Sequence, residues 1–280
     1  MSIRIVGDSA ADIHDYEGIE YAVAALKITT SEKEYVDDRD LDVDMMVDAL
    51  EAYKGKSGTA CPGPGDWIDA FGDAEEVFCV TITSGLSGSY NSACVAKEQY
   101  EEQYPGRKVC VVDSLSAGPE MMLIVDKIKE LHDEGKTFEE ISEAIMKYKN
   151  NTGLVFMLKS LKNLASNGRV SVVVAKAIGL IGIKLVGKAS DEGKLEPTDK
   201  IRSDKKVISA IVDRLKEYGY KGGRIIISHC RNEEMAMLIK KAVKEVVSGA
   251  EIIITKTHGL CSYYAEKGGI LIGFEKGVTA

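Results

Sequence analysis

Three short runs rich in branched residues in the first half of the chain, Ile3 to Val6, Val77 to Ile82 and Val109 to Val112, each lead into a polar pair: Asp8 and Ser9, Thr83 and Ser84, Asp113 and Ser114. Runs of this length backed by turn chemistry read as buried strands. Helix-length stretches fill the intervals. Leu41 to Tyr53 places Met45, Met46, Ala49 and Leu50 on one face, Asp66 to Phe71 makes a shorter helix, and Pro119, suited to a first helical turn, opens a run to Gly135. Thr137 and Glu140 form a capping box for the helix that follows. Such alternation implies an α/β unit with a mostly parallel sheet flanked by helices. Its strand ends gather on one edge, where ligands of open α/β sheets bind, so Ser9, Ser84 and Ser114 are candidate pocket-mouth residues, with Asp8 and Asp113 organising the loops. Tyr21 to Thr30 is extended in character. The acidic run Asp37 to Asp44 reads as a solvated loop and helix start, not as a metal site.

A second unit begins near Asn150, where Lys149, Asn150, Asn151, Thr152 and Gly153 break the helical pattern before the apolar Leu154 to Leu158. Ser203 to Tyr218 and Asn232 to Val247 are amphipathic helices, while Arg224 to Ser228, Glu251 to Thr255 and Ile270 to Phe274 are strands. That order makes an α+β or split β-α-β arrangement, with Gly187 to Lys200 as a surface loop or hairpin. The chain of 280 residues therefore divides into two domains, 1–150 and 151–280.

Charge and composition exclude several function classes. The balance of 36 Lys and Arg against 44 Asp and Glu gives a net charge of -8, which repels phosphate backbones and anionic lipid surfaces, so no nucleic-acid partner is expected. The longest apolar run, Val170 to Val186, is interrupted by Lys176 and Lys184; it reads as a pocket wall or interface helix, too polar to span a membrane. Six cysteines are scattered without metal-ligand spacing, and no apolar leader precedes the first strand. These observations point to a reducing, cytoplasmic setting, with neither metal nor cofactor expected.

The chemistry concentrates in two loops. VTITSGLSGSYNSA, Val80 to Ala93, joins a strand to a helix through hydroxyls and glycines, and a helix start with its free N–H groups suits a negative head group. Ser87 and Gly88 stand at its centre. The order Gly85, Leu86, Ser87, Gly88, Ser89 lacks the final glycine of a hydrolase G-x-S-x-G elbow, so the loop looks built to hold a ligand. A plainer reading leaves Ser89 as a helix cap and the glycines as turn residues. In GTACPGPGD, Gly58 to Asp66, two prolines shape the backbone so that Thr59 faces a cleft. No dinucleotide fingerprint or phosphate-loop lysine accompanies it. His258, just past a strand, can move a proton or simply fix a loop. Arg169 follows a helix end at Gly168, where a cation complements the dipole.

These segments together carry a resemblance. IVGDSAAD, the GTACP loop, TSGLSGSYNSA, VVDSLSAG, NGRVS, DEGKLEPTDKIRS and ISHCRNEEMA, spread over nearly the whole chain, resemble the DegV family, the bacterial fatty-acid-binding proteins that include the acyl-carrier subunits of fatty acid kinase. The resemblance implies a non-catalytic two-domain α/β protein that holds a long-chain fatty acid, such as palmitate or oleate, between its domains and presents the carboxylate to a fatty acid kinase. Position by position it assigns carboxylate binding to Thr59, Ser87, Arg169 and His258. Relatives follow that histidine with a glycine-rich stretch, whereas this chain reads HGLCSYYAEKGG, with Tyr263 and Tyr264 where small residues are usual. A different class of function, a hydrolase or phosphoryl-transfer enzyme, would pair Ser87 with His258 and requires the two side chains to meet.

Overall fold

A computed structural model describes residues 2–171 and 182–277. In the first half the elements are β1 (Ile3–Asp8), β2 (Glu20–Ala24), β3 (Lys27–Thr29), β4 (Glu34–Val36), α1 (Val43–Ala52), β5 (Gly58–Ala60), α2 (Pro64–Phe71), β6 (Glu76–Thr81), α3 (Ser89–Gln103), β7 (Lys108–Asp113), α4 (Pro119–Asp133) and α5 (Phe138–Tyr148). In the second half they are β8 (Thr152–Leu158), α6 (Lys162–Ser166), β9 (Lys184–Ala189), β10 (Leu195–Ile201), α7 (Asp204–Glu217), β11 (Gly223–His229), α8 (Glu233–Val246), β12 (Ala250–Lys256), α9 (Gly259–Ala265) and β13 (Ile270–Glu275).

The three apolar runs of the first half form one parallel sheet in the order β2-β1-β6-β7, and its register sets Asp8 beside Ala24 and Thr81 beside Asp113. The polar strand ends therefore share one edge. The second sheet runs β10-β9-β8-β13-β11-β12 and is mixed: β11 and β12, joined through α8, are parallel, and the other pairings are antiparallel. Gly187 to Lys200 falls within the β9–β10 hairpin, bulged between Pro197 and Asp199. A small antiparallel sheet, β4-β3-β5, stands apart from both.

Helix α4 joins the two large sheets. It touches β1 and β6 on one side and β8, β11 and β13 on the other. A helix buried against two sheets must be apolar around most of its circumference, and Met121, Met122, Leu123, Ile124, Val125, Ile128 and Leu131 are all buried. Each such side chain contributes about 1.5–3 kcal/mol on leaving water. The approach is close enough that a Cβ on Gly273 of β13 would lie 2.5 Å from the Glu120 backbone nitrogen. At the rim, Arg224 on β11 donates to Glu130 of α4 and to Glu275 of β13, and Tyr148 of α5 donates to Glu275 at 2.6 Å.

The structure corrects three sequence readings. Met45 is 62% exposed and Ala49 is exposed, while Met46 and Val47 are buried, because α1 packs on α9 through a face turned one residue along the helix. Asp37 is not solvated: it is fully buried, its carboxylate accepting two backbone N–H groups at the start of α9. Thr59 lies on a strand, β5, opposite Ile28 of β3, so the proline-glycine stretch begins after it. Most of the apolar run Val170 to Val186 lies outside the described residues, although Lys184 to Val186 open β9. Among the described residues no helix is long and apolar enough to cross a membrane.

Candidate functional site

Each candidate polar group reaches the site through its own local device. Thr59 is held by pairing with β3. Ser87 sits in the turn before α3, where the Leu86 and Ser87 amides both donate to the Thr83 carbonyl. Asp8 fixes this turn to the sheet: its Oδ2 accepts from the Ile82 amide at 2.9 Å and the Ser89 hydroxyl at 2.6 Å, and its Oδ1 accepts from the Ala10 amide at 3.2 Å. Burial pushes the Asp8 carboxyl up to about 7, against the opposing pull of those three hydrogen bonds. Ser89 is thus a tether within α3, whose N-cap is Gly88. Asp113 organises its own loop by accepting from the Ser84 and Leu115 amides, each at 3.1 Å.

Arg169 is aimed by the end of α6. Gly168 takes a left-handed φ of 73°, its amide donates to the Ala165 carbonyl and the Arg169 amide donates to the Leu164 carbonyl, the paired pattern of a Schellman cap. The arginine side chain then crosses to the Ser87 turn, Nε donating to the Leu86 carbonyl at 3.2 Å. This contact ties the α6 cap of the second half to the loop before α3.

Thr59, Ser87, Gly88 and Arg169 line one cavity of about 330 Å³. That volume falls at the lower end of small-molecule sites. Its wall is otherwise greasy. Eight leucines (Leu26, Leu86, Leu154, Leu158, Leu164, Leu195, Leu260 and Leu271) join Ile82, Ala117 and Ala265. They come from strands β8, β10 and β13 of the second sheet, from α6 and α9, and from the loops that follow β2 and β6 and precede α4. The polar groups are few and grouped on β5, the Ser87 turn, the α6 cap and α9. Such a surface suits a long apolar molecule carrying one charged or polar end.

Sequence reasoning missed a further polar member, Tyr264 of α9. Its hydroxyl lies 2.7 Å from Thr59 Oγ1, and it lines the same cavity. Burial raises the Tyr264 phenol, with the Thr59 hydrogen bond and the Arg169 charge pulling the other way. Neighbouring Tyr263 bonds Ser57 at 2.8 Å and accepts from Asn167 at 2.9 Å. The signal was present in the four-residue spacings Leu260 to Tyr264 and Cys261 to Ala265, which set these side chains on the face of α9 that lines the cavity.

The remaining candidates lie elsewhere. Ser9 is buried with its hydroxyl accepting from the Leu26 amide, and Ser84 is exposed. Neither lines this cavity, because the strand-end hydroxyl of Ser9 is spent on the local backbone and Ser84 faces solvent. Ser114, bonded to the Ser116 backbone, borders a separate polar cleft with Glu120 and Lys149. His258 also stands apart from the cavity lining: its Nδ1 lies 2.6 Å from Asp37 Oδ1 and its ring packs on His14 at 3.7 Å. Ser87 Oγ instead accepts from the Ser89 amide at 3.3 Å, so the side-chain pairing needed for a Ser87–His258 nucleophile is not formed. His14, Asp37 and His258 form one group of metal-ligand type among the described residues.

The model of the family described as "Uncharacterised protein, DegV family" matches residues 2–276. The chain belongs to the DegV family. A DegV domain-containing protein of Streptococcus pneumoniae is 42% identical over 279 residues, covering 98% of this chain and 99% of that protein. Among solved structures, a DegV family protein from Eubacterium eligens loaded with heptadecanoic acid superposes with a TM-score of 0.96 at 46% identity, covering 99% of this chain and 100% of that one. The Fatty Acid Kinase (Fak) B3 protein of Streptococcus pneumoniae loaded with linoleic acid gives 0.97 at 41% identity, with the same coverage. The α/β architecture read from the alternating sequence is that of these DegV proteins.

Proposed function

We propose that this chain binds one long-chain fatty acid, of the palmitate or oleate class, with its tail among the cavity leucines and its carboxylate at Thr59, Ser87 and Arg169. The observation that carries the reading is the cavity itself: an apolar wall of eight leucines closed by a few hydroxyls and one guanidinium. Two similar DegV proteins, 46% and 41% identical, were crystallised with fatty acids. Roughly fourteen methylenes at about 0.8 kcal/mol each yield on the order of 10 kcal/mol, so the tail dominates affinity. Ordering the ligand and desolvating its carboxylate offset much of this. The hydroxyls and Arg169 mainly recover the head group's lost hydration and fix its orientation.

In this reading the protein is a non-catalytic carrier that works without a cofactor in the cytoplasm. It presents the carboxylate to a separate fatty acid kinase, which forms the acyl phosphate. The relevant boundary divides 1–150 from 151–280, with the lipid between the two parts. Support comes from the kinase-associated neighbour, from the unpaired cysteines and from the unformed Ser87–His258 pairing. Native mass spectrometry of gently purified protein tests it. A fatty-acid-sized adduct that weakens in Ser87→Ala and Thr59→Ala is expected; no adduct, together with no affinity for palmitate or oleate, would overturn the reading.

A further inference from the structure

His14 presents a problem that hydrogen bonding does not solve. Its side chain is 9% exposed, yet neither ring nitrogen has a hydrogen-bond partner. A neutral imidazole carries one donor and one acceptor, and leaving such groups buried and unpaired costs about 1–3 kcal/mol each. Nor does His14 bond the nearby carboxylate: its Nε2 stands 3.9 Å from Asp37 Oδ1, beyond hydrogen-bond reach. The ring thus sits with unused nitrogens beside a buried carboxylate and a second imidazole.

We propose that His14, Asp37 and His258 form a binding site for one divalent transition-metal ion of the zinc type, independent of the fatty-acid cavity. One ligand atom from each residue lies within 4.8 Å of the other two. Bonds of about 2.0–2.1 Å in tetrahedral geometry place ligand atoms roughly 3.3 Å apart. The separations found, 2.6 Å for His258 Nδ1 to Asp37 Oδ1 and 3.9 Å for His14 Nε2 to Asp37 Oδ1, straddle that figure. The ion takes the place of the proton between His258 Nδ1 and Asp37 Oδ1, which is displaced to Nε2 of the same ring or to solvent.

The surroundings supply the outer support such sites use. Asp37 is held by the Gly259 and Leu260 amides, both at 2.8 Å, and the His258 amide donates to Asp12 Oδ1 at 2.7 Å. Gly259 keeps the pocket open: a Cβ there would lie 2.4 Å from Asp37 Oδ1. Two imidazoles and one carboxylate select zinc, cobalt or nickel over calcium and magnesium, which prefer all-oxygen shells. Three protein ligands also leave one coordination position for water or another small ligand.

The test uses the full chain stripped with a chelator and titrated separately with Zn²⁺, against a chromophoric competitor, and with Co²⁺, read by its visible ligand-field bands. One ion per chain is expected, with affinity at least tenfold weaker in His14→Ala and unchanged in Cys61→Ser, which removes the exposed thiol. Because His14→Ala also removes buried packing against His258, the melting temperature of each metal-free protein serves as its own baseline, and the zinc-induced rise seen in wild type should vanish in the variant. Equal Zn²⁺ affinity in wild type and His14→Ala, a signal that follows Cys61, or no stoichiometric binding of either ion to wild type would each overturn the proposal.

Discussion

The Thr59–Tyr264 pair offers a sharp test of how the head-group end is built. Their oxygens lie 2.7 Å apart. If Thr59 donates to a bound carboxylate, Tyr264 must donate to Thr59, since each hydroxyl has one proton to give. Thr59→Val preserves shape and removes a hydrogen bond to a charged group, about 1.5–3 kcal/mol, or roughly a 10- to 150-fold loss of fatty-acid affinity. Tyr264→Phe leaves that donor in place but no longer orients it, a loss of about 1 kcal/mol, or roughly fivefold. Once valine replaces threonine, Tyr264 has no orienting role, so the double variant should bind no more weakly than Thr59→Val alone. The cycle would then report a coupling of about 1 kcal/mol, within the range for contacting residues. Displacement of a fluorescent fatty acid from the four proteins measures it. Multiplicative losses in the double variant would refute the relay. Full affinity in Thr59→Val would remove Thr59 from the head-group site.

Three further outcomes concern the scaffold around the cavity. Glu120 is buried, accepts from the Thr152 hydroxyl at 2.7 Å, and burial raises its carboxyl from 4.5 to about 7. The folded state thus keeps the proton to higher pH than the unfolded chain, and the associated stability, full below pH 4.5, is lost as pH rises to about 7. Glu120→Gln removes this dependence, so urea unfolding should show the variant gaining about 3 kcal/mol on wild type between pH 4.5 and pH 8, and a constant difference would contradict the burial argument. Gly168→Ala meets no neighbouring atom within 4 Å, so its cost is conformational, about 1–2 kcal/mol, and an unchanged melting temperature would show that the left-handed cap is dispensable. Gly273→Ala forces β13 away from the backbone of α4 and should cost about 1–3 kcal/mol in denaturant unfolding, with wild-type stability as the contrary result.

Those elements were legible in the sequence to differing degrees, and the reason lies in the range of the interactions. Strands β1, β6 and β7 and the capping box at Thr137 are declared by neighbours a few residues apart, and the structure forms them as read. The Schellman cap that aims Arg169 was equally local. Asp37 was misread because the amides that bury it come from Gly259 and Leu260, more than two hundred residues away. Nothing in an acidic stretch announces which carboxylate will be claimed in that way. Ser9 and Ser114 illustrate the converse. Their positions at the sheet edge were correct, but a hydroxyl beside a turn is as easily spent on its own backbone as on a ligand. Tyr264 sits between these cases, its helical spacing visible and its partner on β5 not.

The way the cavity is assembled bears on how its ligand is held. Thr59 comes from β5, Ser87 from the turn tethered by Asp8, Arg169 from the α6 cap and Tyr264 from α9, while the leucines come from the second sheet, from α6 and α9, and from loops of the first half. No single element carries the site, and α4 is wedged between the two large sheets. A molecule that touches all these parts binds only the folded arrangement, so its binding adds RT ln(1 + [L]/Kd) to stability, about 2.7 kcal/mol at a hundredfold excess over Kd. The same dependence ties affinity to scaffold geometry. A change such as Gly273→Ala, which touches no ligand group, pushes α4 off β13 and moves Leu271, on that same strand, relative to Ile82 just beyond β6. Loss of fatty-acid affinity in Gly273→Ala beyond its loss of stability would therefore mark α4 as the element that sets the width of the cavity.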